Sequence, residues 1–110
     1  TAPGAITIGG SGDITVLNTT YEPGQSSGWH THRGIHAVAI VSGEITVYDQ
    51  NCIRRAYGPN EPYIGGQYLH LIRNEGTQPA AMVVTYMNPA QPTVAAVSPA
   101  QAANPPCNVS

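Results

Sequence analysis

GWHTHRGIHAVAIVSGE, residues 28–44, decides the fold: it sets three of the chain's four histidines within seven positions and then passes into an apolar hairpin. Side chains alternate between faces in an extended segment, so His30 and His32 point the same way, whereas a helix would splay them about 200° apart. Beyond them His36, Val38 and Ile40 share one face of a strand-like run, and Ala37, Ala39 and Val41 share the other. The bulky face led by His36 is the one that a barrel would turn inward. Ser42 and Gly43 then separate this run from EITVYD at 44–49 and read as a tight turn, the glycine supplying the positive φ that such turns need.

Outward from the hairpin, short runs rich in Ile, Val, Thr and Tyr recur at 5–9, 13–21, 36–42, 44–49, 68–74 and 81–87, with Gly, Pro, Asn or Ser between them. No helical period intervenes, which is the pattern of an all-β sandwich or barrel. The stretch 54–66 holds Gly58, Pro59, Pro62, Gly65 and Gly66 and reads as an ordered loop. Alternation on the later run puts Tyr68, His70 and Ile72 on one face. Val38, Ile40, Tyr68 and Ile72 are therefore expected to line an apolar cup into which the imidazoles converge. After residue 87 the chain turns to proline and alanine. The expected plan is a β-barrel over 1–87 and a Pro/Ala-rich tail over 88–110, with one helical turn at 98–104 capped by Ser98 and opened by Pro99.

A length of 110 residues suits a single hydrophobic core. The net charge is −2, only four residues are basic and none of them is lysine, so no basic surface exists to neutralise a phosphate backbone. That excludes nucleic acid as an expected partner. The longest apolar run, 37–41, is far short of the roughly 20 residues that a membrane-spanning helix needs, so no membrane partner is expected either. Cys52 and Cys107, an even count in a lightly charged chain, predict one disulfide formed in an oxidising compartment, two unrelated thiols being the alternative. Such a bridge would strap the tail back onto the barrel. The opening TAPGA fits a secreted product relieved of its leader, although a trimmed chain would read the same. Asn18 in NTT and Asn108 in NVS match the glycosylation sequon.

The spacing of these residues resembles the cupin family. Its first motif, G(x)5HxH(x)3E(x)6G, is matched in register by Gly24, His30, His32 and Gly43, with His36 at the glutamate position. The end of its second motif, G(x)5PxG(x)2H(x)3N, is matched by His70 and Asn74, while Gly66 and Pro62 fall out of register at its front. The resemblance spans 24–74 as motifs. It implies a small antiparallel jelly-roll barrel holding one divalent transition-metal ion, be it copper, manganese, iron, nickel or zinc, on His30, His32, His36 and His70. An all-nitrogen site follows the Irving–Williams order, and protons compete for its ligands as pH falls through the imidazole range.

Four neutral imidazoles leave the charge of a divalent ion uncompensated, so the site should attract an anionic ligand. The resemblance then implies a metal-dependent, dioxygenase-like oxidoreductase acting on a small anionic or enolisable substrate. The alternative is a non-enzymatic holder of a metal or small ligand. Isomerase chemistry on a sugar or keto acid is disfavoured, since no inward carboxylate can be assigned on the strands. Tyr48, Tyr68 and Tyr86 place phenols on strands, as acid–base groups near the metal or as packing. Trp29 and Arg73 are expected to face away from His30 and His70, Trp29 into outer packing and Arg73 to the surface. Small cupins pair through their sheets, which implies a homodimer, while a tail lying over the sheet edge would keep the chain monomeric.

Overall fold

The computed structural model describes residues 4–8, 14–32, 34–66, 68–87 and 106–110. Eight strands follow in order: β1 (Gly4–Ile8), β2 (Ile14–Tyr21), β3 (Ile35–Ser42), β4 (Ile45–Asp49), β5 (Arg54–Tyr57), β6 (Tyr63–Gly65), β7 (His70–Arg73) and β8 (Ala80–Met87). A single 3-10 turn at Pro106–Asn108 is the helical element among the described residues. No helix among them is long and apolar enough to cross a membrane. The strands form one five-stranded sheet, β1-β2-β8-β3-β6, and one three-stranded sheet, β5-β4-β7. Every pairing is antiparallel.

The two sheets face one another as a jelly roll. They are not closed by hydrogen bonds into a continuous barrel among the described residues, which departs from the expected closed wall. The alternation of β3 decides its burial: His36, Val38 and Ile40 are buried and Val41 is exposed. Val84 lies opposite Val38 on β8, and Met82 lies opposite Ile40. With Ile45, Val47 and Ile72 from the smaller sheet, these side chains make the main core. Gly43, with φ +75°, turns β3 into β4 as expected, and a Cβ there would collide with the backbone of Pro79 and Ala80.

β5 and β6 both fall in the stretch expected to be loop. Each is short and lies at the outer edge of its sheet, and β5 is almost wholly exposed. β5 shows no apolar alternation, and β6 turns only Tyr63 and Gly65 inward, too little to separate either from a loop by composition.

β4 and β7 of the smaller sheet are buried on both sides. Behind it Trp29, Tyr48, Leu69 and Leu71 form a second cluster, against which Val109 packs. The Trp29 Nε1–H donates to the Val109 carbonyl at 2.6 Å. The Cys52–Cys107 disulfide is formed and fixes the same end of the chain to the turn before β5. Trp29 therefore faces away from His30 as expected. Arg73 does not reach the surface fully: it is half-buried, and its Nε finds no partner among the described residues. The helical turn expected at 98–104 lies outside the described residues.

Candidate metal centre

His30 and His32 lie on no named strand, yet their segment is fixed as if it were one. An isolated bridge pairs His30 with His70, each amide donating to the other's carbonyl at 3.0 Å, and a second bridge pairs Ser26 with Arg73. The segment thus extends the smaller sheet past β7. Asn74 locks the neighbouring corner: it is fully buried, its Nδ2 donates to the Tyr21 and Gln78 carbonyls at 2.9 and 2.7 Å, and its Oδ1 accepts from the Gly76 amide at 2.9 Å. The Gly24 amide donates to the Asn74 carbonyl at 2.8 Å, so the first residue of one motif is tied to the last of the other.

The structure brings ligand nitrogens of His30, His32 and His70 within 4.8 Å of one another. His32 Nε2 stands 3.1 Å from His30 Nε2 and 3.2 Å from His70 Nε2. The outer nitrogens set the tautomers. His30 Nδ1 lies 2.9 Å from the Gly28 carbonyl and His70 Nδ1 lies 2.9 Å from the Tyr68 carbonyl. A carbonyl only accepts, so both Nδ1 atoms carry the proton and both Nε2 atoms present a lone pair. His32 Nε2 carries at most one proton and satisfies at most one of its two neighbours. Lone pairs converging in a buried site are what a cation resolves, and a carbonyl on the far ring nitrogen is the usual support of a metal-bound imidazole.

Electrostatics agrees with that chemistry. Burial holds His30 below the ordinary imidazole range, against the Gly28 carbonyl, which raises it. His70 is lowered to about 4, chiefly by burial, with the neighbouring His30 and His32 adding to the effect. His36 is lowered to about 3 by burial and then by the other imidazoles. These rings are neutral at pH 7, the form that ligates a metal.

His36 differs from the other three. It flanks the nitrogen cluster through its ring, with centroids 4.2 Å from His32 and 5.6 Å from His70. It is 2% exposed, and its Nδ1 has no partner among the described residues. Its ring lies across β6, directly over Gly65, its register partner, where any side chain would strike the ring. The requirement at Gly65 escaped sequence reading because it comes from the strand alongside, within a stretch that reads as loop.

A cavity of about 290 Å³ opens beside the imidazoles. Of the residues expected to line it, Val38 and Ile72 do so. Ile40 is buried in the main core and does not reach the wall, being two residues further from His36 along β3. Tyr68 is a correction to the cavity wall alone: its ring lies beside that of His70, centroids 5.3 Å apart, but it precedes β7, is 43% exposed and lines a separate hollow with Asp49 and Arg55. Alternation carried back from His70 keeps Tyr68 on the side of that ring, but the residue stands ahead of the strand and opens to solvent. Tyr48 sits in the second cluster, where its hydroxyl donates to the Glu75 carboxylate. Of the three tyrosines singled out in the sequence, Tyr86 reaches the cavity, its ring centroid 5.3 Å from that of His32 and 5.8 Å from that of His36. Leu17, Tyr21, Met82 and Val84 complete the wall, and the alternation of β8 would have pointed to Met82, Val84 and Tyr86 together.

Comparison with solved structures bears on this arrangement. A conserved protein with a double-stranded β-helix domain from Klebsiella pneumoniae superposes with a TM-score of 0.68 at 21% identity, 87% of this chain covering 84% of that one. A cupin superfamily protein from Desulfitobacterium hafniense gives 0.64 at 15%, with 79% and 76% covered. The chain has the cupin fold. An oxalate oxidase in complex with glycolate also matches the cupin fold of this chain, with a TM-score of 0.64, 21% identity and 74% of this chain covered. This chain spans less than half of that oxidase, 45% of its length. No protein-family model matches the sequence. No curated protein matches it either. At these identities the likeness is one of fold, and activity has to be argued from the site itself.

Proposed function

We propose that this cupin holds one divalent transition-metal ion on His30, His32 and His70, with His36 beside them, and acts as an oxidoreductase on a small anionic or enolisable substrate. The observation that carries the reading is the convergence of the three Nε2 atoms, two of them fixed as lone-pair donors by backbone carbonyls. When bound, the ion supplies a positive charge that neutral imidazoles do not offset, and with it a Lewis-acid attraction for an anionic oxygen. The remaining work falls to the cavity wall. Leu17, Val38, Ile72, Met82 and Val84 keep water out, which strengthens electrostatic attraction inside. Tyr86, pushed up to about 12 by burial, keeps its proton and serves as a neutral hydrogen-bond donor.

Dioxygen is the oxidant in this reading. A second reading, a non-enzymatic metal or ligand holder, is favoured by one observation: no carboxylate lines the cavity among the described residues, so no acid–base partner stands ready. Elemental analysis followed by oxygen-uptake assays with diketones, phenols and thiols separates the two. Oxygen consumed in step with substrate supports the oxidoreductase, retained metal without uptake supports the holder, and protein that takes up no metal overturns both. We further propose that the protein works in an oxidising extracellular compartment, a reading supported by the Cys52–Cys107 disulfide.

A further inference from the structure

The cavity lining sorts by charge in a way that narrows what it accepts. None of its described residues is cationic or anionic. Arg54 and Arg55 lie exposed on β5, at the edge of the smaller sheet. Arg73 alternates with His70 and Ile72 on β7 and so takes the opposite face. The hydroxyl of Ser27 is already committed, donating to the Gly28 carbonyl at 2.8 Å and accepting from the Ile72 amide at 3.0 Å. Beyond the imidazoles, the wall offers the hydroxyls of Thr19, Tyr21 and Tyr86 and the apolar side chains of β2, β3, β7 and β8.

A charged group removed from water needs a counter-charge or several hydrogen bonds. Among the described residues of the wall no side chain supplies a counter-charge, which leaves that role to the metal at the imidazole end. We infer that the ligand of this cavity is a small monoanion with an apolar body, its charged end at the imidazoles and its body along Leu17, Val38, Met82 and Val84, and that dianions of the same size are rejected. This rests on the metal-holding reading above. At about 290 Å³ the cavity is at the lower end of the range for small-molecule sites, which limits the apolar body to a few carbons. The selectivity is negative in origin: a second carboxylate would lie against hydrocarbon with no cation among the described wall residues to meet it.

An isosteric pair of probes tests this. In 4-methylpentanoate an isopropyl group stands where succinate carries its second carboxylate, so the two match in size and differ in charge. Zinc-loaded protein is titrated with each by calorimetry at pH 7. We expect 4-methylpentanoate to bind at least about tenfold more tightly than succinate. Thr19→Arg, which adds a cation to the half-buried wall of β2, is expected to shrink that ratio at least about tenfold. Equal or tighter binding of succinate to the unaltered protein overturns the inference. Failure to retain zinc at pH 7 overturns instead the metal reading beneath it, so the two failures are told apart before any anion is added.

Discussion

Two apolar clusters press on the ligand-bearing segments from opposite sides, and they are built differently. The larger lies between the sheets and draws on β2, β3, β4, β7 and β8, with Ile45 and Ala80 at 0% exposure. The smaller lies behind the three-stranded sheet and consists of Trp29, Tyr48, Leu69 and Leu71, with Val109 closing it from the disulfide-tethered end of the chain. His30 follows Trp29, and His70 stands between Leu69 and Leu71. The imidazoles are thus aimed inward by side chains that are themselves held from outside. The contrast teaches that the main core makes the fold, whereas the backing of the candidate metal centre depends on a covalent strap.

The strap offers the sharpest way to break that contrast. The Cys52–Cys107 bridge spans a sequence separation of 55 residues. The chain-entropy relation for a loop of that length gives about 4 kcal/mol. Reduction, or the double change Cys52→Ser with Cys107→Ser, is expected to lower unfolding free energy by about that much. It should also shift the emission of Trp29, the sole tryptophan, to the red as Val109 leaves it. Lost stability with unchanged emission would show that the end of the chain does not cover Trp29.

Next come paired core truncations. Leu71→Ala and Ile45→Ala each remove a side chain with 0% exposure and should each cost about 3 kcal/mol in chemical denaturation. Only Leu71→Ala is expected to alter Trp29 emission and to weaken metal uptake. Equal effects of both on emission would erase the distinction between the clusters.

Acidity sharpens the comparison from the inner side. Burial holds the folded His36 and His70 at about 3 and about 4, below the unfolded value of 6.5. Between those limits the unfolded chain binds more protons, so stability is present above pH 6.5 and is lost as pH falls. The slope for metal-free protein is expected to approach about 1.4 kcal/mol per pH unit for each imidazole. Urea titrations at pH 7, 6 and 5 measure it, and a stability that rises on acidification would contradict the buried neutral rings.

The smallest effect concerns the rim of the second cluster. Tyr48→Phe loses the hydroxyl's bond to Glu75 and should cost about 1 kcal/mol. The Arg54–Glu75 pair at 3.5 Å, open to solvent on the arginine side, should be worth less, and Arg54→Gln is expected to change the midpoint of unfolding by less than Tyr48→Phe does.

The sequence disclosed the part of this molecule in which one face is buried and the other is not. β3 and β8 alternate because one face meets the opposing sheet, and both are visible as patterns. His30 and His32 are legible for the same reason, two residues apart in an extended chain. β5 and β6 were illegible, being short edge strands, the first almost wholly exposed and the second turning only Tyr63 and Gly65 inward. Gly65 was illegible too, since its constraint is the ring of His36 on the neighbouring strand. Tyr68 was half legible: its ring lies beside that of His70, as alternation implies, but it stands ahead of β7 and lines a different hollow. The second cluster was half legible: the cysteines and the outward set of Trp29 were readable, but the seat of Val109 is a tertiary contact spanning 80 residues.

The most direct measurement is a titration of metal-free protein with zinc at pH 7, beside His32→Ala. The account predicts one equivalent bound by the unaltered chain and affinity weakened at least about a hundredfold in the variant, whose central nitrogen is gone. Uptake well below one equivalent, or equal affinity in both proteins, would contradict it.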